Sequence, residues 1–230
     1  MPQELRQGFH RALDRQEISI GAILEVIPEA VGRATTAMLD GDEGMARELA
    51  RWRSMVTELN ADVDSAATAL IARQAPVAGD LRLLLAVTRL VPVLADTMDL
   101  VADIVSPALA QIGPDLPERP RLLCAELGAS CAATWSAVAE LWRRRERPHF
   151  DAVRSRHDTL AEVRSSLTSE LASGSVHVSE AMLLAMTGRS YERIGRHAGA
   201  AARLIEPLVG AGGELAARAG GRSSEAGHRS

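Results

Sequence analysis

Aromatic residues are scarce in this 230-residue chain: 3% of the total, with one tyrosine, two phenylalanines and three tryptophans. Strands draw on aromatic and β-branched side chains, and no long window rich in them competes here. Ala, Leu, Arg and Glu abound instead, and these lose little side-chain entropy in a helix. The expected class is all-α. An excess of positive charge is lacking too. Net charge is −4 and the basic residues are dispersed, which gives no support to nucleic-acid binding. The short run Arg143, Arg144, Arg145 and Arg147 reads as the solvated end of a helix, where cations suit the helix dipole.

Cysteine is nearly absent. Cys124 and Cys131 lie seven residues apart in one helical segment, which separates their Cα atoms by about 10 Å, beyond disulfide reach. Two thiolates alone cannot complete a metal site, so both read as small core residues in a reducing compartment. The segment Met1-Pro2-Gln3-Glu4-Leu5-Arg6 lacks the basic and apolar regions of a secretory signal. The stretch Leu81 to Leu94 is broken by Arg82, Arg89 and Pro92, so no membrane insertion is expected. The expectation is a cytoplasmic protein.

Catalytic signatures are missing as well: no Gly-x-Ser-x-Gly, no Walker loop and no His-Glu-x-x-His occurs. The Glu-x-x-His unit of di-metal bundles occurs only as Glu225 to His228, in a tail that cannot face a bundle core. No catalytic residue is assigned, and no enzyme is expected.

What is present is apolar periodicity. A first helix is predicted from about Gln3 to Leu39, with Ile20, Ile23, Ile27, Val31, Ala34 and Met38 on one stripe and Pro28 inside it. In the second, Met45, Leu49, Trp52, Val56, Leu59, Val63, Ala66 and Leu70 alternate four and three residues apart, a heptad seam. A short turn over 74–80 follows, with Asp80 as a helix N-cap. The third helix spans about Leu81 to Val105, its seam running from Leu84 to Val105, and Pro107, Gly113, Pro114, Pro117 and Pro120 then mark a loop.

The pattern recurs in helices over about 121–145, 149–171 and 178–209. Short connections make antiparallel neighbours, so the expectation is two tandem three-helix bundles, over residues 1–108 and 119–209. The Gly-, Ala-, Arg- and Ser-rich stretch 210–230 is expected to be a disordered tail.

Two helix faces carry the candidate chemistry. Asp96, Asp99 and Asp103 are three and four residues apart and fall within about 60° of arc on the third helix. Neighbouring carboxylates there repel by a few tenths of a kcal/mol per pair, roughly. A solvated acidic face and a site for a divalent or iron ion are both open readings. The sixth helix carries Arg189, Glu192, Arg193, Arg196 and Arg203, with His197 near its apolar seam. One acidic face and one mainly basic face could complement each other between two copies of the chain.

The segment Gln74-Ala75-Pro76-Val77-Ala78-Gly79-Asp80-Leu81-Arg82 closely resembles the junction of the second and third helices in the PhoU family. Tyr191-Glu192-Arg193-Ile194-Gly195-Arg196-His197 is similar to that family's Tyr-x-Glu-Arg-x-x-Asp-His segment. The resemblance covers nearly the whole chain up to Val209. It implies two three-helix repeats and a cytoplasmic, often dimeric regulator. Such a regulator holds back phosphate uptake and phosphate-starvation signalling by contacting the phosphate ABC transporter ATPase and a sensor histidine kinase.

It also implies a metal-binding Glu/Asp-x-x-x-Asp motif in each repeat, from which this chain departs. Ala95 stands at the first repeat's leading acid, with Asp99 and Asp103 after it. The second repeat keeps Glu192 but has Arg196 and Ala200 at the later positions. A guanidinium cannot shed its charge to admit a metal, so a metal-poor member is expected. Any ion would lie at Asp96, Asp99 and Asp103, with Glu192 the weakest contributor. Asp80, Arg82 and Arg193 are the candidate partner-binding residues.

Overall fold

A computed structural model describes residues 2–74 and 78–210. Six α-helices account for nearly all of them: α1 Pro2–Asp40, α2 Glu43–Gln74, α3 Ala78–Leu109, α4 Glu118–Arg144, α5 Arg147–Ala172 and α6 Val178–Ile205. Short 3-10 turns lie at Gly113–Asp115 and Glu206–Leu208, and no strand occurs among the described residues. The all-α class with six helices is therefore what the chain adopts, in the expected order. The Glu225–His228 unit and the stretch after Gly210 lie outside the described residues.

Apolar stripe width sorts the helices into layers. On α3, Leu83, Leu84, Val87, Leu90, Leu94, Met98, Val101 and Ile104 are all buried, a band far broader than one seam. On α2 the buried apolar set narrows to Leu49, Val56, Val63 and Ala67. A broad band must be covered on several sides, and α3 packs against α1, α2 and α6. A narrow one needs fewer partners, and α2 lies outside, on α1 and α3. The second triplet repeats the plan: α6 packs on α3, α4 and α5, while α5 lies outside on α4 and α6. Contacts of α1 with α4 and of α3 with α6 close the four inner helices into one ring, so a single hydrophobic core runs through both triplets. Each fully buried Leu or Ile there contributes about 1.5–3 kcal/mol.

Close approach of α1 and α4 requires a glycine. A Cβ at Gly128 would come within 2.2 Å of Thr35 Oγ1 and 2.6 Å of Thr35 Cγ2, so this crossing admits hydrogen alone.

Three local expectations are corrected. The loop was expected to start at Pro107, but α3 runs through it to Leu109. The Pro107 carbonyl there accepts from the Ala110 and Ile112 amides at 3.2 and 3.3 Å, so the helix end finds its hydrogen bonds beyond the proline. Asp80 is not an N-cap. Helix α3 is already formed at Ala78, which places Asp80 in its first turn, where the carboxylate still suits the dipole. Arg145 is not solvated. It ends α4 in a left-handed conformation, φ 53°, is 6% exposed, ion-pairs with Glu17 and stacks 5.4 Å from the Trp142 ring.

One helix among the described residues, α4 rather than the Leu81–Leu94 stretch, is long and apolar enough to cross a membrane by length and composition. Its Leu123, Leu127, Trp135, Val138 and Leu141 are buried in the bundle, so its apolar content serves the core.

Candidate functional site

The acidic residues of α3 project outward: Asp96, Asp99 and Asp103 are all exposed. The seam on the opposite side, including Met98 and Val101, is buried, and this fixes their direction. Asp99 is already occupied, since its Oδ1 accepts from Arg53 Nε of α2 at 2.5 Å. On the second triplet, Glu192 of α6 lies 3.3 Å from Arg164 Nε of α5. In each half, then, an arginine of the outer helix engages the acid of the inner helix. This donor set does not suit a bound cation. Among the described residues, no three His, Cys, Asp or Glu side chains group to hold a metal, and a guanidinium sits on the central carboxylate of each half.

His197 faces inward along the α3–α6 contact. Its Nδ1 lies 3.1 Å from Thr97 Oγ1, which also donates to the Val93 carbonyl at 2.6 Å. Burial lowers the pKa of the imidazole; nearby Asp96 pulls it up, and Arg193 and Arg196 push it further down. It is a partly buried polar group at this helix contact.

The buried polar groups of the second triplet are also structural. The Cys131 thiol donates to the Tyr191 carbonyl at 3.2 Å, and Trp135 Nε1 donates to the Ile194 carbonyl at 3.1 Å. Tyr191 shares a hydroxyl–hydroxyl bond of 2.7 Å with Thr35. Burial pushes the Cys124 thiol up to about 12 and that of Cys131 higher. Neither is a nucleophile near neutral pH.

Of the positions singled out for partner contact, Arg82 and Arg193 are exposed. Asp80 is buried at 6% exposure and already engaged. A larger surface feature lies on α6, outside the positions singled out from the sequence. Val178, Met182 and Met186 of α6 are 77, 64 and 65% exposed, and Arg189 and Arg193 continue on their face, all within about 80° of arc. Methionine is flexible and polarisable and suits adaptable protein contacts. The four-residue spacing of Val178, Met182 and Met186 is the sequence signal for it.

No family model matches the chain. Over 205 residues, 87% of this chain and 92% of its relative, the sequence is 27% identical to phosphate-specific transport system accessory protein PhoU homolog 1 of Mycobacterium leprae. It is 26% identical over 205 residues to PhoU homolog 2 of Mycobacterium tuberculosis, covering 87% of this chain and 96% of that one. The crystal structure of PhoU from Pseudomonas aeruginosa superposes with a TM-score of 0.78 at 20% identity, over 88% of this chain and 98% of that one. The phosphate transport system regulatory protein PhoU from Streptococcus pneumoniae gives 0.77 at 16% identity, over 88% and 97%. At such identities the structural likeness speaks for the fold.

Proposed function

We propose that this chain, which belongs to the PhoU family, is a regulatory adaptor of phosphate transport and not an enzyme. The observation that carries the proposal is sequence similarity spanning 87% of the chain to proteins named as accessories of phosphate-specific transport. Its surface chemistry is consistent with that role. The exposed row Val178, Met182 and Met186 running into Arg189 and Arg193 suits a partner whose surface is apolar and acidic.

The finer reading is that it acts in the cytoplasm as a homodimer. It restrains phosphate uptake and starvation signalling by docking on the phosphate transporter ATPase and on a sensor histidine kinase. Of the candidates Asp80, Arg82 and Arg193, the exposed Arg82 and Arg193 are the docking residues we assign. Metal is not needed for this role, given the arginines at Asp99 and Glu192.

Co-purification from cells grown at high and at low phosphate tests the proposal. The expected result is capture of the transporter ATPase or the kinase at high phosphate, lost in a Met182→Glu, Met186→Glu variant. Unchanged phosphate-responsive transcription in a deletion strain would remove the regulatory role.

A further inference from the structure

An open groove of about 980 Å³ runs between the start of α5 and the end of α6. Four arginines line it, Arg147 and Arg154 from α5 and Arg196 and Arg203 from α6, against two carboxylates, Asp151 and Glu206. Both carboxylates are taken by one arginine: Arg147 lies 2.9 Å from Glu206 and 3.5 Å from Asp151. Arg154, Arg196 and Arg203 therefore have no ion-pair partner among the described residues. Two of them stand seven residues apart on one helix, which is about 10 Å along its axis.

Between those two sits Gly199, and Arg203 Nη1 comes within 3.7 Å of where a Cβ of that glycine would stand. The Arg203 guanidinium thus lies back along the helix, towards Arg196, in van der Waals reach of position 199. Four guanidinium groups against two carboxylates leave the groove with an excess of positive charge, which favours an anion.

We infer that this groove binds an extended chain of phosphoryl groups, as in an inorganic oligophosphate or the tail of a nucleoside polyphosphate. Guanidinium forks match phosphoryl oxygens two at a time, and the spacing of Arg196 and Arg203 suits a ligand longer than a single phosphate. An acidic peptide fits less well. Its backbone amides would need hydrogen-bond partners, and the walls are helices whose backbone groups are already spent on one another. A stacked base is not called for either, because Arg147 covers the Phe150 ring at 4.7 Å. The inference goes beyond the regulatory reading and stands or falls without it.

Calorimetric titration of the full chain with sodium tripolyphosphate tests it, with orthophosphate, ATP and a hexaglutamate peptide as comparison arms. At about 0.15 M salt, where exposed charges are partly screened, one saturable site for tripolyphosphate is expected. Loss of two charge-assisted contacts in the Arg196→Gln, Arg203→Gln variant should weaken it by about tenfold or more. Gly199→Glu, which supplies a carboxylate in place of the ligand, should weaken it similarly while the thermal midpoint stays near that of the parent. Arg143→Gln, Arg144→Gln, which removes arginines held by Glu140 at the end of α4, should leave the affinity unchanged.

ATP matching tripolyphosphate would assign the site to the phosphoryl chain whichever molecule carries it. The inference is overturned by absence of saturable binding, by equal weakening in the control variant, or by orthophosphate, hexaglutamate or a base-dependent gain with ATP outbinding tripolyphosphate.

Discussion

The second triplet is centred on aromatic side chains whose polar atoms are paired, whereas the centre of the first is aliphatic. Trp135 and Tyr191 are fully buried on α4 and α6, and the indole and phenol both find oxygen partners. In the first triplet the inner helices pack Ile20, Leu24, Leu84, Leu94 and Met98, and Trp52 sits partly buried on the outer helix beneath Arg33, 4.8 Å away. That triplet also buries Asn60, 3% exposed, with neither amide atom hydrogen-bonded among the described residues. One backbone plan is therefore filled in two ways, and position in the layers decides how much each residue matters.

The largest contrast to break is between the tryptophans. Trp135→Ala should cost about 3–5 kcal/mol, since it opens a cavity and removes the indole's hydrogen bond to the Ile194 carbonyl. Trp52→Ala, on the outer helix, should cost about 1 kcal/mol. Urea unfolding of both variants checks this, and equal losses would mean that the layers do not set the energetics.

The junction between the triplets comes next. The Thr35 hydroxyl donates to the Val31 carbonyl at 2.8 Å as well as meeting Tyr191. Tyr191→Phe leaves that hydroxyl satisfied and should cost about 1 kcal/mol. Thr35→Val leaves the phenol buried and unpaired and should cost more, about 1–3 kcal/mol. The reverse order in denaturant midpoints would contradict the network.

Asn60 offers the opposite sign. Asn60→Leu keeps the branched shape of the side chain, with bulkier ends, and removes two unpaired buried atoms, so it should raise stability by about 1 kcal/mol. A lower thermal midpoint in the variant would show that the amide is satisfied after all.

His197 is a smaller, pH-dependent effect. Its pKa in the folded chain is below the ordinary 6.5, chiefly through burial, so between those two values the unfolded chain binds more protons. Stability then rises with pH: the contribution is complete above 6.5 and is lost as pH falls through the lowered value. His197→Gln should flatten the slope of stability against pH just below 6.5, leaving the carboxylate contributions at lower pH unchanged.

These contrasts were unevenly legible in the sequence. Heptad seams on α2 and α3 announce themselves because apolar side chains repeat with the helix period, and Leu84, Val87, Leu94 and Met98 are core as the period requires. Ends were harder to read. Proline at 107 looks like a stop, yet a helix near its end has few hydrogen bonds left to lose, so α3 runs through it. The anion groove could not be read at all. Arg154 and Arg196 are far apart in sequence, and only the packing of α5 on α6 joins them. The exposed Asp96 and Asp103 were visible as a pattern, but Arg53 on Asp99 follows from α2 lying beside α3.

The two matched arginine–acid pairs give the smallest effect and the closest test of the repeat. Arg53 and Asp99 are about half exposed, at 50 and 54%, but well aligned as a hydrogen bond. Arg164 and Glu192 are less exposed, at 37 and 33%, yet the Arg164 Nε makes no hydrogen bond despite lying 3.3 Å from the carboxylate. Better alignment favours the first pair and lower exposure the second, and exposed or half-exposed pairs are worth about 0–1 kcal/mol either way. In double-mutant cycles, Arg53→Ala with Asp99→Ala should couple by a few tenths of a kcal/mol, roughly, and the effect should vanish in about 1 M salt. Arg164→Ala should cost more than its coupling with Glu192, because its stem lies over Gly188, with Cγ 4.0 Å from where a Cβ would be, and that apolar contact is lost whatever the charge. Salt would not remove this residual. If it did, charge and not packing would be what the two halves share.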